Sequence, residues 1–222
     1  MAIMKKITFL MAAGLVLAGM SLSVQANTSG PFTTSTPIPT TLTDWSSSLA
    51  FPEFNSALGT LQSVTLNLSY SFSTTLTVSN TSPDGSSGTV QTEVQITLQD
   101  GGDNLNAPEI DANSPAFNYS LGAGQGVTSG LLTKSGNDGG NTYTTAPVLA
   151  EFTGPGTIVL PASTFTQTLL ANTGGNTTSS QITDASLTGT VTYDYIAVPE
   201  PSTIGLVVVG LLGALTIRRR KA

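Results

Sequence analysis

The clearest pattern in the chain begins at Val64. Val64, Leu66, Leu68, Tyr70 and Phe72 alternate with Thr65, Asn67, Ser69, Ser71 and Ser73, and Leu76 and Val78 continue in the same phase. A two-residue period marks a strand with one face buried. The run exceeds an ordinary strand, so a bend or turn is expected near residues 73–75. A turn sequence follows at Ser82-Pro83-Asp84-Gly85. The alternation then returns, with Val90, Val94, Ile96 and Leu98 on one face and Gln91, Glu93, Gln95 and Thr97 on the other. Asp100-Gly101-Gly102 ends it. Residues 117–121, 148–152, 157–160 and 165–170 read as weaker strands. A last strong one covers residues 187–196, where Leu187, Val191, Tyr193 and Tyr195 alternate with Thr188, Thr190, Thr192 and Asp194. No segment between residues 27 and 197 has a helical period. Short alternating strands divided by Gly, Asn, Asp and Pro predict an all-β fold, an antiparallel β-sandwich of jelly-roll-like form with wet Ser/Thr outer faces.

The two ends follow other patterns. Lys5 and Lys6 precede an apolar run from Ile7 to about Met20, and Val24 and Ala26 supply the small side chains that signal peptidase requires. Residues 1–26 therefore read as a signal peptide. At the other end, Pro199-Glu200-Pro201 precedes an uncharged run from Ile204 to Ile217, then Arg218, Arg219, Arg220 and Lys221. A helix over residues 202–217 would be about 24 Å long, short against a hydrocarbon core of about 30 Å. It predicts one short C-terminal transmembrane helix whose arginines snorkel to the interface. The basic cluster is expected to stay cytoplasmic, with the body of the chain on the other side of the membrane. The organisation expected is a signal peptide at 1–26, an extended Ser/Thr/Pro-rich lead-in at 27–48, a β-sandwich at 49–197 and a tail at 198–222.

Charge sharpens this picture once the ends are set aside. Of seven Lys and Arg, two lie in the signal and four in the tail, leaving Lys134; of thirteen acids, only Glu200 lies outside residues 27–198. The central domain thus carries twelve acids against one base, a net charge of −11. A surface with one cation cannot neutralise phosphates, which excludes nucleic acid as a partner. Cys and His are both absent. That removes disulfides, thiol catalysis, His-dependent triads and zinc sites built on those ligands. Glycoside hydrolysis by two carboxylates passes this filter, but no motif supports it, and no enzyme activity is expected.

One loop holds candidate ligands. Asp100, Asp103, Asn104, Asn106, Glu109 and Asp111 place six oxygen-bearing side chains within twelve residues, with glycines that allow a loop to curl. Calcium takes six to eight oxygens, so these six residues form a weak candidate calcium site. Their spacing is not that of an EF-hand, and the plainer reading is a solvated loop that requires no cofactor. Asn137-Asp138-Gly139-Gly140-Asn141 is weaker still. For carbohydrate stacking the candidates are Trp45, Tyr119 and Tyr143, although Trp45 reads better as core. Tyr70, Tyr193 and Tyr195 fall on apolar faces.

The tail also carries a resemblance. Pro199-Glu200-Pro201, a short apolar helix and an arginine cluster together resemble the PEP-CTERM sorting signal of Gram-negative bacteria. The resemblance implies an exosortase, a membrane-embedded cysteine transpeptidase, that recognises Pro199, Glu200 and Pro201, removes the helix and transfers the chain to another carrier. It implies a stay in the membrane before processing, then a place on the cell surface or in an extracellular matrix, with an association with exopolysaccharide and biofilm. A second run, from Leu49-Ala50-Phe51-Pro52-Glu53-Phe54-Asn55 to Leu58-Gly59-Thr60-Leu61, resembles the choice-of-anchor E domain, with Phe51 in place of Leu and Asn55 in place of Asp. That family implies surface placement and no activity. In the run itself, Pro52 predicts a turn, Phe54 a buried ring and Gly59 a point of backbone freedom. The reading is an exported, non-enzymatic surface or matrix protein. Its partners would be signal peptidase, exosortase and extracellular polysaccharide. A calcium- or carbohydrate-binding adhesin is the alternative, and a carboxylate glycosidase comes third.

Overall fold

The computed structural model describes residues 26–28, 32–33, 37–102, 104–105 and 109–198. Nearly all belong to one compact unit, Thr28–Tyr195. A second unit, Met1–Asn27 with Ile196–Ala222, contributes only Ala26, Asn27, Ile196, Ala197 and Val198 to the description. The signal peptide and the transmembrane helix expected from the sequence lie outside the described residues.

The strands are β1 (Ala26–Thr28), β2 (Phe32–Thr33), β3 (Ile38–Leu42), β4 (Ser46–Pro52), β5 (Gly59–Asn80), β6 (Ser86–Leu98), β7 (Glu109–Asn113), β8 (Phe117–Leu121), β9 (Gly126–Thr128), β10 (Leu132–Asn137), β11 (Asn141–Tyr143), β12 (Thr157–Gly174) and β13 (Thr177–Ala197). One helix, α1 (Ala146–Glu151), lies between β11 and β12. The strands form two antiparallel sheets, as expected for an all-β sandwich. In the first, β13 and β5 are central; β2 and β3 pair with β13, and β9, β10 and β11 pair with β5. In the second the order is β4-β12-β6-β7, with β8 also on β6.

The alternation at Val64 runs on without the expected break. β5 is continuous from Gly59 to Asn80, and from Val64 onward its even-numbered positions stay inward, with Tyr70 half-buried. Length suggested a break, but the strand is simply long. Thr74 lies in the apolar phase and is buried. Its hydroxyl lies 2.9 Å from that of Thr92 on β6 and 2.8 Å from that of Thr183 on β13. All three threonines are buried. A buried hydroxyl is tolerated when it is paired, and this trio is paired internally.

Residues 148–152 are a second correction. The apolar run expected to be a strand is mostly α1, followed by Phe152 as its C-cap. Pro147 opens the helix, where its missing N–H costs nothing. Val148 and Phe152 are four residues apart, so a helix puts both on one face; both are fully buried. A short apolar run does not distinguish the two periods by itself. The weak strands expected at 157–160 and 165–170 are parts of the single strand β12. The expected turn at Pro52 is instead the last position of β4.

The core divides in two. The larger cluster includes Leu49, Phe51, Phe54, Leu66, Ile96, Leu160, Leu187 and Tyr193, with Val148 and Phe152 from the α1 segment. The smaller holds Leu76, Val78, Val90, Tyr119 and Leu121. Thr74 and Thr92 fall between the clusters along β5 and β6, so the polar trio stands at their junction. In the run from Leu49 to Leu61, Phe51, Phe54 and Leu61 are buried. Asn55 caps the 3-10 turn Ser56–Leu58 by accepting a 2.9 Å bond from the Ala57 N–H.

Asp44 takes the chain from the first sheet to the second. It has a left-handed φ of 64°, a conformation that Asp tolerates better than most residues. Its carboxylate accepts from the Thr166 N–H at 3.0 Å, while its own N–H donates to the Thr164 hydroxyl at 2.9 Å.

Candidate functional site

Asp100 follows the end of β6, and its carboxylate organises the next turn. Oδ1 accepts from the Asn104 N–H at 3.0 Å, and Oδ2 accepts from Asn104 at 2.9 Å and from Leu105 at 3.1 Å. Leu105 is buried in the main core cluster. The Asn104 side chain donates to Glu151 Oε1 at 2.5 Å. Glu151 is the last residue of α1, forty-seven residues further along the chain.

Asn104 thus joins Asp100 and Glu151, and the two carboxyls perturb each other in opposite directions. Burial pushes the Glu151 carboxyl up, and the bond to Asp100 adds to the rise. Burial also acts to raise Asp100, but the Asn104 and Leu105 amides and the bond from Glu151 outweigh it and hold Asp100 below its ordinary value. Glu151 Oε2 is buried and receives no hydrogen bond from an N–H or hydroxyl.

Beside the pair lies a shallow depression of about 250 Å³, lined by Gly101, Gly102, Ile158, Val159 and Leu160 as well as the two acids.

The other expected ligands are distributed along a sheet. Glu109 and Asp111 are exposed on β7, while Ile110 and Ala112 turn into the core. They stand opposite Thr97 and Gln95 of β6. Gln95 precedes Asp100 by five residues, roughly 17 Å of extended chain. The fold thus brings Asp100 to Asn104 and adds Glu151, which the sequence reading did not include. No local signal in the sequence marks Glu151, because α1 reaches the loop only through tertiary packing. Asp103 and Asn106 lie outside the described residues. Among the described residues, no group of three or more acidic side chains is placed to hold a metal ion. At the second Asp/Gly loop, Asp138 Oδ1 accepts from the N–H of Leu68 at 2.9 Å and of Gly140 at 3.0 Å. Gly139 and Gly140 both adopt left-handed backbone, so this loop is built as a turn.

The aromatic candidates are committed to packing. Tyr119 is buried, and its hydroxyl donates to Asn172 Oδ1 at 2.9 Å. Trp45 and Tyr143 are half-buried against the main cluster. Tyr193 is buried, and Tyr70 and Tyr195 pack on the same cluster, as their apolar phase predicts. Phe54 meets Tyr193 edge-on at 5.7 Å and Tyr195 at 5.0 Å.

The sorting-signal residues Pro199, Glu200 and Pro201 and the cluster Arg218, Arg219 and Arg220 lie outside the described residues. Among the described residues, no helix is long and apolar enough to cross a membrane.

No curated protein matches the chain. Among solved structures, chains from the Gt and Gx strains of infectious bursal disease virus are similar at 10% and 9% identity, with TM-scores of 0.17 and 0.15. The alignments cover 79% and 81% of this chain and 42% of each viral chain, so it spans about two-fifths of their length. The comparison with protein families gives one local result, and it falls where Pro199, Glu200 and Pro201 lie: residues 197–221 match the PEP-CTERM protein-sorting motif.

Proposed function

We propose that this chain is an exported, non-enzymatic protein of the cell surface or exopolysaccharide matrix of a Gram-negative bacterium, delivered by an exosortase acting on its C-terminal tail. The observation that carries the reading is the sorting motif over residues 197–221. That motif implies an exported protein processed by an exosortase. Pro199, Glu200 and Pro201 are its recognition element, and Arg218, Arg219 and Arg220 hold the tail at the cytoplasmic face until cleavage. The resemblance of residues 49–61 to the choice-of-anchor E domain supports surface placement from the other side of the domain.

The character of the central domain supports a structural role. Several of its polar side chains hold the fold: Asp100 in a turn, Asp138 in another, Tyr119 on Asn172. A net charge of −11 suits a hydrated extracellular matrix and disfavours anionic surfaces.

Intact-mass measurement of the native protein tests the proposal. The expected mass lacks residues 1–26 and everything after the Pro-Glu-Pro element, with a carrier attached at the new C-terminus. A variant with Pro199, Glu200 and Pro201 replaced by Ala should keep its tail and accumulate in the membrane fraction. Native protein that retains residues 202–222 at the cell surface would refute the reading.

A further inference from the structure

We propose that the chain self-associates edge to edge through β12, forming a two-fold pair in which β12 of one copy hydrogen-bonds antiparallel to β12 of another. This inference does not depend on the sorting reading. It begins with where β4 stops. β4 pairs with β12 only over residues 157–163. Past that point Thr164 donates to the Trp45 carbonyl at 3.0 Å and Thr166 to the Asp44 carboxylate at 3.0 Å. The chain then leaves at Asp44 for the other sheet. Among the described residues, nothing pairs with residues 167–174 of β12 on that side, whereas β6 covers the other side through Gly174.

The direction of the backbone groups follows from the bonds already given. The Pro161 carbonyl accepts from Gln99, on the β6 side, and Thr164 and Thr166 donate to the β4 side. Odd-numbered residues therefore bond to β6, and Thr168, Leu170 and Asn172 direct their N–H and C=O groups to the open edge. An open row of this kind is a template for another strand.

Most other edges are guarded or short, although residues 177–182 of β13, beyond its pairing with β3, form a shorter uncharged edge. β3 contains Pro39, β4 ends in Pro52, β7 carries Glu109 and Asp111, and β10 carries Lys134. Proline, charge and short length are the usual protections. The β12 edge has none of them: no charged residue occurs between Glu151 and Asp184, and no proline follows Pro161 in the strand. Instead Phe165 is 56% exposed and Leu169 39%.

Charge and chemistry identify the occupant as a second copy. A domain at −11 repels its own kind across most of its surface, and this edge lets two copies meet without opposing carboxylates. The strand is also self-complementary. With Leu170 opposite its own copy, Leu169 faces Ala171, Gln167 faces Thr173 and Thr168 faces Asn172. Leu170 would exchange both backbone bonds with its copy, and Thr168 and Asn172 with each other. The symmetry is isologous and closes at two.

Sedimentation velocity of the full chain in detergent micelles tests this. The wild type should show a monomer–dimer equilibrium that tightens as salt screens the repulsion. Thr168→Pro removes one edge-facing N–H and no bond to β6, and should weaken association on the order of ten-fold. Leu131→Glu, at a leucine 71% exposed between β9 and β10, should leave it unchanged. A wild type that stays monomeric at every concentration, or a folded Thr168→Pro that associates as tightly as wild type, overturns the proposal. If Thr168→Pro does not fold, Leu170→Cys in this cysteine-free chain decides: oxidation should give a disulfide-linked dimer, and failure to cross-link overturns the pairing.

Discussion

The Tyr193 hydroxyl, on the central strand β13 of one sheet, donates a 2.7 Å hydrogen bond to the Pro52 carbonyl at the end of β4 in the other. The ring is buried beneath Phe54 and Phe152. Burial, with the Glu53 charge nearby, pushes the phenol far above its ordinary value, which favours the protonated, donating form. Tyr193→Phe keeps the packing and removes this pin. The expected loss is about 1 kcal/mol, read as a lower denaturant midpoint with an unchanged m-value. An unchanged midpoint would mean that aromatic packing alone joins the sheets here.

The Thr74–Thr92–Thr183 trio predicts a larger effect. Thr74 bridges the other two hydroxyls, so Thr74→Val leaves both buried without their partner. The expected cost is about 1–3 kcal/mol. Replacing all three by Val should recover part of it, because no unpaired hydroxyl then remains. Thermal unfolding of the single and triple variants measures both.

Gly88 illustrates a steric requirement. A Cβ there would stand 2.0 Å from the Ala171 carbonyl oxygen and 2.8 Å from the Tyr119 hydroxyl. Gly88→Ala must therefore displace β12 backbone, at a cost of about 1–3 kcal/mol. At Gly130 a Cβ meets nothing within 4 Å, and Gly130→Ala should be close to neutral. Paired urea titrations of the two variants provide the comparison.

The carboxyl pair gives a pH dependence with a definite sign. Glu151 is raised above its ordinary 4.5, so its contribution is complete below that value and is lost as pH rises through the folded value. Asp100 is lowered from 3.8, so its contribution is present above that value and is lost as pH falls. With opposite shifts, the two groups are together most favourable in mild acid. Melting temperature should fall as pH rises above the ordinary Glu151 value through the folded one, and fall less in Glu151→Gln, which cannot ionise. Equal slopes in the two proteins would mean that folding does not raise Glu151.

Calcium addresses the same loop independently. Added calcium is expected to leave the melting temperature unchanged. A rise of several degrees would make the Asp100 loop a metal site, since a ligand bound only by the folded state stabilises it.

The sorting signal was legible in the sequence because it is a linear feature: Pro199, Glu200 and Pro201 lie side by side, and the apolar run and arginines follow in order. The strands were legible for a related reason. A two-residue period is set by the pleat of a single strand, so Val64 to Val78 and Val90 to Leu98 carry their own evidence. Misreadings arose where the partner was remote. The length of the run from Val64 suggested a break, because the hydroxyls of Thr92 and Thr183 that keep Thr74 inward are not its neighbours in the chain. Val148 and Phe152 resembled a strand because only the core beneath them selects the helical face.

The sequence by itself determined the all-β class, the inward faces of residues 64–78, 90–98 and 187–195, the strongly acidic charge, and the Pro-Glu-Pro tail. Tertiary structure alone decided which strands lie side by side, the meeting of Asp100 with Glu151, and the exposure of the β12 edge. The physical reason is range. Periodicity, turns and charge are properties of neighbouring residues, whereas pairing order and the Asp100–Asn104–Glu151 cluster join groups separated by long stretches of chain, and only the folded backbone sets those distances.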